Sequence, residues 1–340
     1  MENKKVIAIM MAFFASILYA INIPLSKLLL TKVEPTMMAS YLYLGAGIGI
    51  GIVFLLSRKE KKKEEKITKK DLPFIVGMIA LDIVAPILLM IGLKHSLSSS
   101  VSLLNNFEIV ATSIIALAIF KEVISKRMWV AIGLITLSSL FLSFDALSTF
   151  TFSWGSILVL LATISWGFEN NCTRKLANKN TYFIVFLKGI FSGLGSFIIA
   201  LIIGESFSDF LYIGLALLLG FIAYGLSIFF YIKAQGTLGA SKTSAYYSMN
   251  PFIGTFLSWV LLKESVGIPY FMGLVIMIVG TIIVIIDTLK KKHQHQHQHI
   301  ITHSHGGGIH THIIEHEHEH SHLINEEQHN HHHQKNLTIL

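Results

Sequence analysis

Cysteine is nearly absent from this sequence: Cys172 is the only one in 340 residues, so the chain cannot form an internal disulfide. Nothing in the cysteine count therefore indicates an oxidised extracellular domain. Charged residues are also scarce, at 14% of the composition against 53% hydrophobic residues. No GxxxxGK[ST] loop occurs, which argues against a nucleotide-driven pump. Histidine is missing from most of the chain, since 16 of its 17 copies lie between His293 and His333.

Long apolar segments fill the chain up to about residue 289. Each is roughly 20 residues long, the length that an α-helix needs to cross a bilayer core of ~30 Å. A soluble protein of this size would alternate polar and apolar faces instead. We therefore predict an all-α integral membrane protein in a lipid bilayer. The ten predicted spans are residues 6–29, 36–57, 72–94, 97–120, 124–144, 153–175, 181–204, 210–234, 240–262 and 266–289.

The lysines and arginines predict the orientation of these spans. The segment 58–70 carries eight of them, whereas the segments 145–152 and 204–209 carry none. Basic loops face the cytoplasm in most membrane proteins. The bias predicts a protein of the plasma (inner) membrane with both termini in the cytoplasm. The net charge of +7 is explained by these loops, and no nucleic-acid partner is expected.

The chain contains an internal repeat. Segment 121–145 aligns without a gap on segment 263–287, an offset of 142, with Lys-Glu at the start and Asp at the end of both. At the same offset Glu108 aligns with Asn250. We predict a first five-helix repeat at 1–145, a second at 146–289, and a tail at 290–340.

Five spans per repeat give the second repeat the opposite orientation in the membrane. Inverted repeats are typical of secondary transporters, whose substrate site lies near the midplane where the halves meet. Two quasi-symmetric halves can also supply the two nearly equal conformations that alternating access requires. The predicted fold is therefore ten transmembrane helices in two inverted repeats, followed by a disordered tail.

Ionisable residues inside the predicted spans are the main candidates for the site, because charge in hydrocarbon is energetically costly. A carboxylate on one half and a neutral amide on the other would suit a proton-coupled site. The predicted substrate or proton pathway consists of Asp82, Glu108, Glu169 and Lys188 with Asn22, Asn106, Trp166, Asn170, Tyr246 and Asn250. The alternative is that these residues hydrogen-bond helices together, with Asp82 and Lys188 as a structural ion pair. Gly47 and Gly51 form a GxxxG pattern, which predicts close helix packing.

Several of these residues lie in motifs that resemble the EamA-type transporters of the drug/metabolite transporter superfamily. The motifs are Leu18-Tyr-Ala-Ile-Asn22, Ser165-Trp-Gly-Phe168, Leu103-Leu-Asn-Asn-Phe-Glu108 and Tyr246-Tyr-Ser-Met-Asn-Pro251. The chain departs from the usual pattern at Ile109, where family members usually carry proline, and at Tyr41, where many carry arginine. The resemblance covers residues 6–289 and implies uptake or export of a small metabolite, commonly driven by a gradient. It does not identify the solute.

The histidine-rich tail predicts labile binding of transition metals. Neutral imidazole suits Zn, Ni, Co or Cu, and the spacing fixes no closed four-ligand site. The candidate ligands are His293, His295, His297, His299, His303, His305, His310, His312, His316, His318, His320 and His322. The segment lacks the apolar residues of a core and is expected to be disordered. No cofactor is required by this interpretation.

The leading hypothesis is a secondary transporter of a small polar or amphipathic metabolite with a metal-binding cytoplasmic tail. One rival is a transition-metal exporter, and another is a membrane-bound metal buffer or sensor that moves nothing. An enzyme is not expected, because the spans contain no His-Glu metal motif and no nucleophile–base pair. The solute, the direction of transport, the coupling ion and the oligomeric state stay open, a homodimer being one alternative.

Overall fold

The computed structural model describes residues 2–56, 67–121, 124–143, 153–176, 179–238, 243, 246–305 and 308–323. The chain divides into two compact units, residues 1–285 and 286–340. Most of the lysine-rich segment 58–70, together with Glu122 and Asp145, lies outside the described residues. The first unit is helical throughout its described part, as the apolar segments predict.

Thirteen α-helices and one π-helix make up the described membrane part. They are α1 (Glu2–Ala20), α2 (Asn22–Leu29), α3 (Pro35–Leu56), α4 (Leu72–Lys94), α5 (Ser98–Leu104), α6 (Phe107–Phe120), α7 (Lys126–Leu142), α8 (Trp154–Lys175), α9 (Thr181–Ile202), α10 (Phe210–Gly220), the π-helix (Phe221–Leu226), α11 (Ser227–Leu238), α12 (Asn250–Leu262) and α13 (Ile268–Leu289). Helices lie within all ten predicted spans.

Seven helical stretches of the described chain are long and apolar enough to cross a membrane. They are Val6–Leu29, Pro35–Leu56, Leu72–Lys94, Ser98–Ile119, Tyr182–Ile202, Phe210–Tyr231 and Ile268–Asp287. In the remaining three predicted spans, α7 has 17 residues, α12 has 13, and α8 has 22 with a more polar composition. The protein therefore crosses the membrane several times, and the count of ten stays a prediction.

Several helices are interrupted near their middle. Ile21 separates α1 from α2, and Asn105 and Asn106 separate α5 from α6. Pro24 contributes to the first break, because proline cannot donate a hydrogen bond to the carbonyl four residues earlier. The π-helix is a third irregularity, between α10 and α11. Such interruptions bring helix ends and unpaired backbone groups into the interior, where polar sites of membrane proteins are built.

Helix α3 packs closely on two sides through its glycines. A Cβ added at Gly47 would lie 2.7 Å from the backbone nitrogen of Ile190 in α9. A Cβ at Gly45 would overlap the backbone of Leu217 in α10. Only glycine permits such approaches, so the predicted packing role of the glycine pattern is confirmed at Gly47.

Charged side chains from the second half cap helix ends of the first half. The carboxylate of Glu264 accepts hydrogen bonds from the backbone nitrogens of Ser98, at 2.6 Å, and Ser99, at 2.9 Å. These are the first residues of α5, whose N–H groups have no partner within the helix. Glu205 caps the start of α3 in the same way, accepting from the backbone nitrogen of Met37 at 2.7 Å. Acidic caps therefore join the two halves at these helix ends.

The tail forms an antiparallel pair of strands, β1 (Lys290–His305) and β2 (Gly308–Leu323). The predicted disorder is wrong for these residues. The register places His293 opposite His320 and His295 opposite His318. A two-residue alternation of histidine with another residue matches the period of a β-strand, which explains why an extended backbone suits this composition.

Candidate functional site

An ammonium group held between two carboxylates forms the centre of the candidate site. Lys188 in α9 lies 3.1 Å from Oδ2 of Asp82 in α4 and 2.9 Å from Oε1 of Glu169 in α8. The side chains of Asp82 and Glu169 are 0% and 2% exposed, whereas that of Lys188 retains 21%. An isolated buried charge would be highly unfavourable, so the three charges stabilise one another. The predicted pairing of Asp82 with Lys188 is present, and Glu169 joins it.

Aromatic donors orient the Asp82 carboxylate. The hydroxyl of Tyr43 in α3 donates to Oδ1 of Asp82 at 2.9 Å. The indole nitrogen of Trp166 in α8 donates in turn to the Tyr43 hydroxyl at 3.4 Å. Both rings are buried, at 4% and 6% exposure. This chain of hydrogen bonds connects α3, α4 and α8 around one carboxylate.

Glu169 is also held by its own helix. The hydroxyl of Thr173, one turn further along α8, donates to Oε1 of Glu169. The same oxygen contacts the Lys188 ammonium, so both partners converge on one side of the carboxylate. Two partners fix the side chain more firmly than the ion pair alone.

Glu108 forms a second acidic position beside this group. It lies in the first turn of α6, where the helix dipole favours a negative charge. The side-chain amide of Asn170 donates to Oε1 of Glu108 at 2.6 Å and to the hydroxyl of Thr112 at 3.2 Å. Glu108 is half-buried and lies close enough to Glu169 and Lys188 to interact with both electrostatically. The two acidic positions therefore form one site.

Tyrosines line another side of this site. The ring centroids of Tyr19 and Tyr224 lie 5.5 Å apart, and those of Tyr19 and Tyr247 lie 5.8 Å apart. The amide of Asn22 donates to the hydroxyl of Tyr224 at 3.2 Å. Tyr224 belongs to the π-helix, a distortion that is frequent at functional sites. Tyr19 lies near Glu108 and Asp82, since both carboxylates would oppose a charge on its hydroxyl, and it therefore connects the aromatic and acidic groups.

Not every predicted residue belongs to this cluster. The Asn106 amide donates to the hydroxyl of Thr281 at 3.2 Å, so it ties the start of α6 to α13. Within the described part of the chain, the side chains of Tyr246 and Asn250 have no hydrogen-bond partner. Asn250 begins α12, directly before Pro251, as the repeat alignment with the start of α6 suggests.

Sequence reasoning missed Tyr43 and Thr173 as members of the site. A phenol in an apolar span needs a hydrogen-bond partner, which is the signal that identifies Tyr43. Thr173 lies four residues after Glu169, a spacing that places both on one helix face.

The tail histidines form no metal site that the structure describes. Their backbone lies in β1 and β2, but their side chains lie outside the described structure. Among the described side chains, no group of three or more histidine, cysteine, aspartate or glutamate residues is arranged to hold a metal ion. Metal binding by the tail therefore stays a prediction.

A further ion pair lies outside the membrane-spanning helices, directly before α4. Lys179 lies 3.1 Å from Oδ2 of Asp71. That oxygen also accepts hydrogen bonds from the backbone nitrogen of Thr68 at 2.7 Å and from its hydroxyl at 2.8 Å. The Thr68 hydrogen bonds, with a smaller contribution from Lys179, lower the pKa of Asp71. The contact joins the segment before α4 to the segment before α9.

A bundle of apolar helices, several of them interrupted, around a charged interior cluster defines a multi-pass membrane protein with a polar internal site. The sequence profile of the EamA-like transporter family matches residues 6–144 and 153–286. The chain therefore belongs to the EamA-like transporter family, and the resemblance noted in its motifs is confirmed.

Two individual comparisons agree with this membership. An uncharacterized transporter of Methanothermobacter thermautotrophicus is 24% identical over 287 residues, which are 79% of this chain and 83% of that protein. A protein of known crystal structure is 13% identical and superposes with a TM-score of 0.61, covering 83% of this chain and 96% of its own. The second comparison establishes similarity of fold alone.

Proposed function

We propose that the protein is a secondary transporter that carries a small polar or amphipathic metabolite across the plasma membrane by alternating access. The observation that carries this proposal is the cluster of Asp82, Glu169, Lys188 and Glu108 within the predicted spans of a transporter-family chain. Ionisable groups inside a membrane protein commonly line substrate or ion pathways. The protein acts without chemical conversion of its solute and is not an enzyme.

The driving force is proposed to be a proton or solute gradient. Carboxylates are suited to proton coupling because they can change charge as protons arrive and leave. The arrangement in two inverted five-helix repeats, 1–145 and 146–289, is proposed as the basis of two nearly equal conformations. Both termini are proposed to lie in the cytoplasm, in agreement with the lysine bias.

Solute flux in proteoliposomes tests this function. The full chain, reconstituted with an imposed proton gradient and a broad metabolite panel, is expected to accumulate at least one solute. The double variant Glu108→Gln, Glu169→Gln is expected to lose that flux, because it removes two of the three protonatable carboxylates of the site. Glu34→Gln serves as the control, since Glu34 forms an exposed pair with Lys94, its side chain 48% exposed. Undiminished flux in the double variant would refute the proposed site.

A separate proposal concerns the tail, which we expect to bind transition metals. The register of β1 with β2 supports it, because the backbone pairing places histidine opposite histidine at 293 and 320, 295 and 318, and 297 and 316. Titration calorimetry with Zn²⁺ is expected to give several weak sites in the full chain and none after deletion of residues 291–340.

The same deletion separates the rival functions. If the protein exports metal, cells carrying the deletion become sensitive to Zn²⁺, Ni²⁺ or Co²⁺. If it moves a metabolite, their metal tolerance changes little. A protein that binds metal but moves no member of the solute panel is a buffer or sensor instead.

A further inference from the structure

The charge balance of the central site indicates which solutes it can hold. We infer that the site binds solutes bearing a positively charged amine, with Glu108 as the carboxylate that contacts the amine and tyrosines as the surrounding wall. This inference rests on the proposed transport function and adds to it the charge of the solute.

The ammonium group of Lys188, the one cation among the described residues of the site, is already paired with carboxylates. Lys188 contacts Asp82 and Glu169 at 3.1 Å and 2.9 Å. Within the described chain, Lys27 donates instead to the backbone carbonyl of Leu93 at 2.6 Å, and Lys179 pairs with Asp71. An anionic solute would therefore meet two carboxylates around the one cation available to it. Such like-charge contacts in a low-dielectric interior are strongly unfavourable.

The carboxylates outnumber the ammonium. Asp82, Glu169 and Glu108 face one Lys188, which leaves an excess of two negative charges when all four are ionised. An unpaired buried charge is not tolerated, so protons or a bound cation must balance it. Glu108 is the member best placed to accept a cation, because its only hydrogen bond in the described structure comes from Asn170 and its side chain is half-buried.

The tyrosines provide the second, independent feature. Tyr19, Tyr224 and Tyr247 are packed ring against ring, with Tyr19 tilted 74° to Tyr224 and 46° to Tyr247. All three hydroxyls lie near Glu108, since a charge on any of them would be opposed by its carboxylate. Aromatic faces attract ammonium groups, so a cluster of rings near a carboxylate favours an organic cation over an anion.

Proton and amine would compete at Glu108. The titratable and charged groups near it are Glu169 in α8, Lys188 in α9, Tyr19 in α1, Tyr224 in the π-helix and Tyr247 before α12. An arriving ammonium replaces the proton that balances this carboxylate, and that proton is released to water. Solute binding is therefore expected to weaken as the proton concentration rises.

Three probes of similar shape and different charge test the inference. Phenethylammonium, 3-phenylpropionate and 2-phenylethanol are each added to the purified full chain, and thermal unfolding and titration calorimetry are measured. Phenethylammonium is expected to raise the unfolding temperature and to bind with a heat that depends on the ionisation enthalpy of the buffer. Glu108→Gln is expected to weaken its binding by ~10- to 100-fold, the effect of losing one charge-assisted hydrogen bond. Glu34→Gln should bind it like the wild type.

The outcomes separate this inference from the proposed function. Equal or stronger binding of the carboxylate or the alcohol overturns the inference, and so does a folded Glu108→Gln variant that binds the amine normally. The flux panel is then run in proteoliposomes with cationic, neutral and anionic metabolites. Flux confined to anionic or neutral solutes overturns the inference but leaves a transporter, whereas absence of all flux overturns the function itself.

Discussion

Lys188 is the residue on which the central charge cluster depends. Replacing it with methionine keeps the length of the side chain but leaves Asp82 and Glu169 without a counter-charge. Removing one partner from a buried ion pair typically costs about 3–5 kcal/mol. We therefore predict a loss of that order in the free energy of unfolding of Lys188→Met, measured by denaturant titration in detergent.

The matched control adds Asp82→Asn and Glu169→Gln to the same background. Neutralising both carboxylates removes the uncompensated charge, so the triple variant is expected to recover most of the lost stability. The ion-pair account would be contradicted if Lys188→Met were as stable as the wild type, or if the triple variant were no more stable than Lys188→Met.

Only some residues of the site could be predicted from the sequence. Asp82, Glu169 and Lys188 were evident because charge inside an apolar span is rare. A pair of Asp82 with Lys188 was one predicted alternative, but the contact of Glu169 with Lys188 joins two different helices and could not be read from spacing. Asn106 had the same residue-type signal as Asn170, but it bonds Thr281 while Asn170 bonds Glu108. Polarity predicts that a buried amide has a partner, not which partner it finds.

Among the helices, α3 has the tightest packing constraint. Gly47→Ala would place a methyl group 2.7 Å from the backbone of α9, which cannot move aside as a flexible side chain can. Overpacking of this kind typically destabilises by about 1–3 kcal/mol. We predict a lower unfolding temperature for Gly47→Ala in detergent. Gly133→Ala in α7 is the control, because a Cβ there meets nothing within 4 Å and alanine is the better helix former, so the unfolding temperature should stay unchanged or rise slightly. Equal effects of the two substitutions would contradict the packing account.

The start of α4 should show a pH-dependent stability. The pKa of Asp71 is lowered from its usual value of 3.8, chiefly by Thr68, so the folded state favours the charged form. A lowered pKa contributes stability that is present above the unfolded-state value and is lost as the pH falls through the folded-state value. Asp71→Asn should therefore unfold at a lower temperature than the wild type at neutral pH, with the difference shrinking below about pH 4.

Thermal unfolding measured across this pH range checks the Asp71 prediction. The wild type and Asp71→Asn are compared at each pH, so that the titration of the other groups, which both proteins share, cancels in the difference. A difference that stays constant from neutral to acidic pH would contradict it.

Only some of the helix interruptions could be predicted from the sequence. Pro24 and Pro251 lie beside breaks, as a missing N–H predicts, whereas Pro86 lies inside the continuous α4. The π-helix Phe221–Leu226 contains no proline and gave no signal, because a π-turn results from how neighbouring helices pack. The spans could be predicted from the length of the apolar segments, but the breaks within them depend on tertiary contacts.

On the scale of the whole molecule, composition predicted a helical membrane protein correctly and misjudged the tail. The apolar segments leave no other way to satisfy the backbone in lipid than helices. The tail was expected to be disordered because it lacks a core, yet its histidine alternation has the period of a strand and it pairs as β1 with β2. In the tail, the two-residue period of the histidines favours a strand, whereas the lack of a core favours disorder.

The central claim is that the carboxylate site is reached alternately from the two sides of the membrane. Its most direct measurement is the labelling of Asn105→Cys, between α5 and α6, in a Cys172→Ala background with a membrane-impermeant thiol reagent. The reagent is applied to either face of the membrane, with and without an imposed solute gradient. We predict labelling from both faces in proportions that the gradient shifts, with Glu108→Gln altering the shift. Labelling confined to one face under every condition, or from neither, would contradict the account.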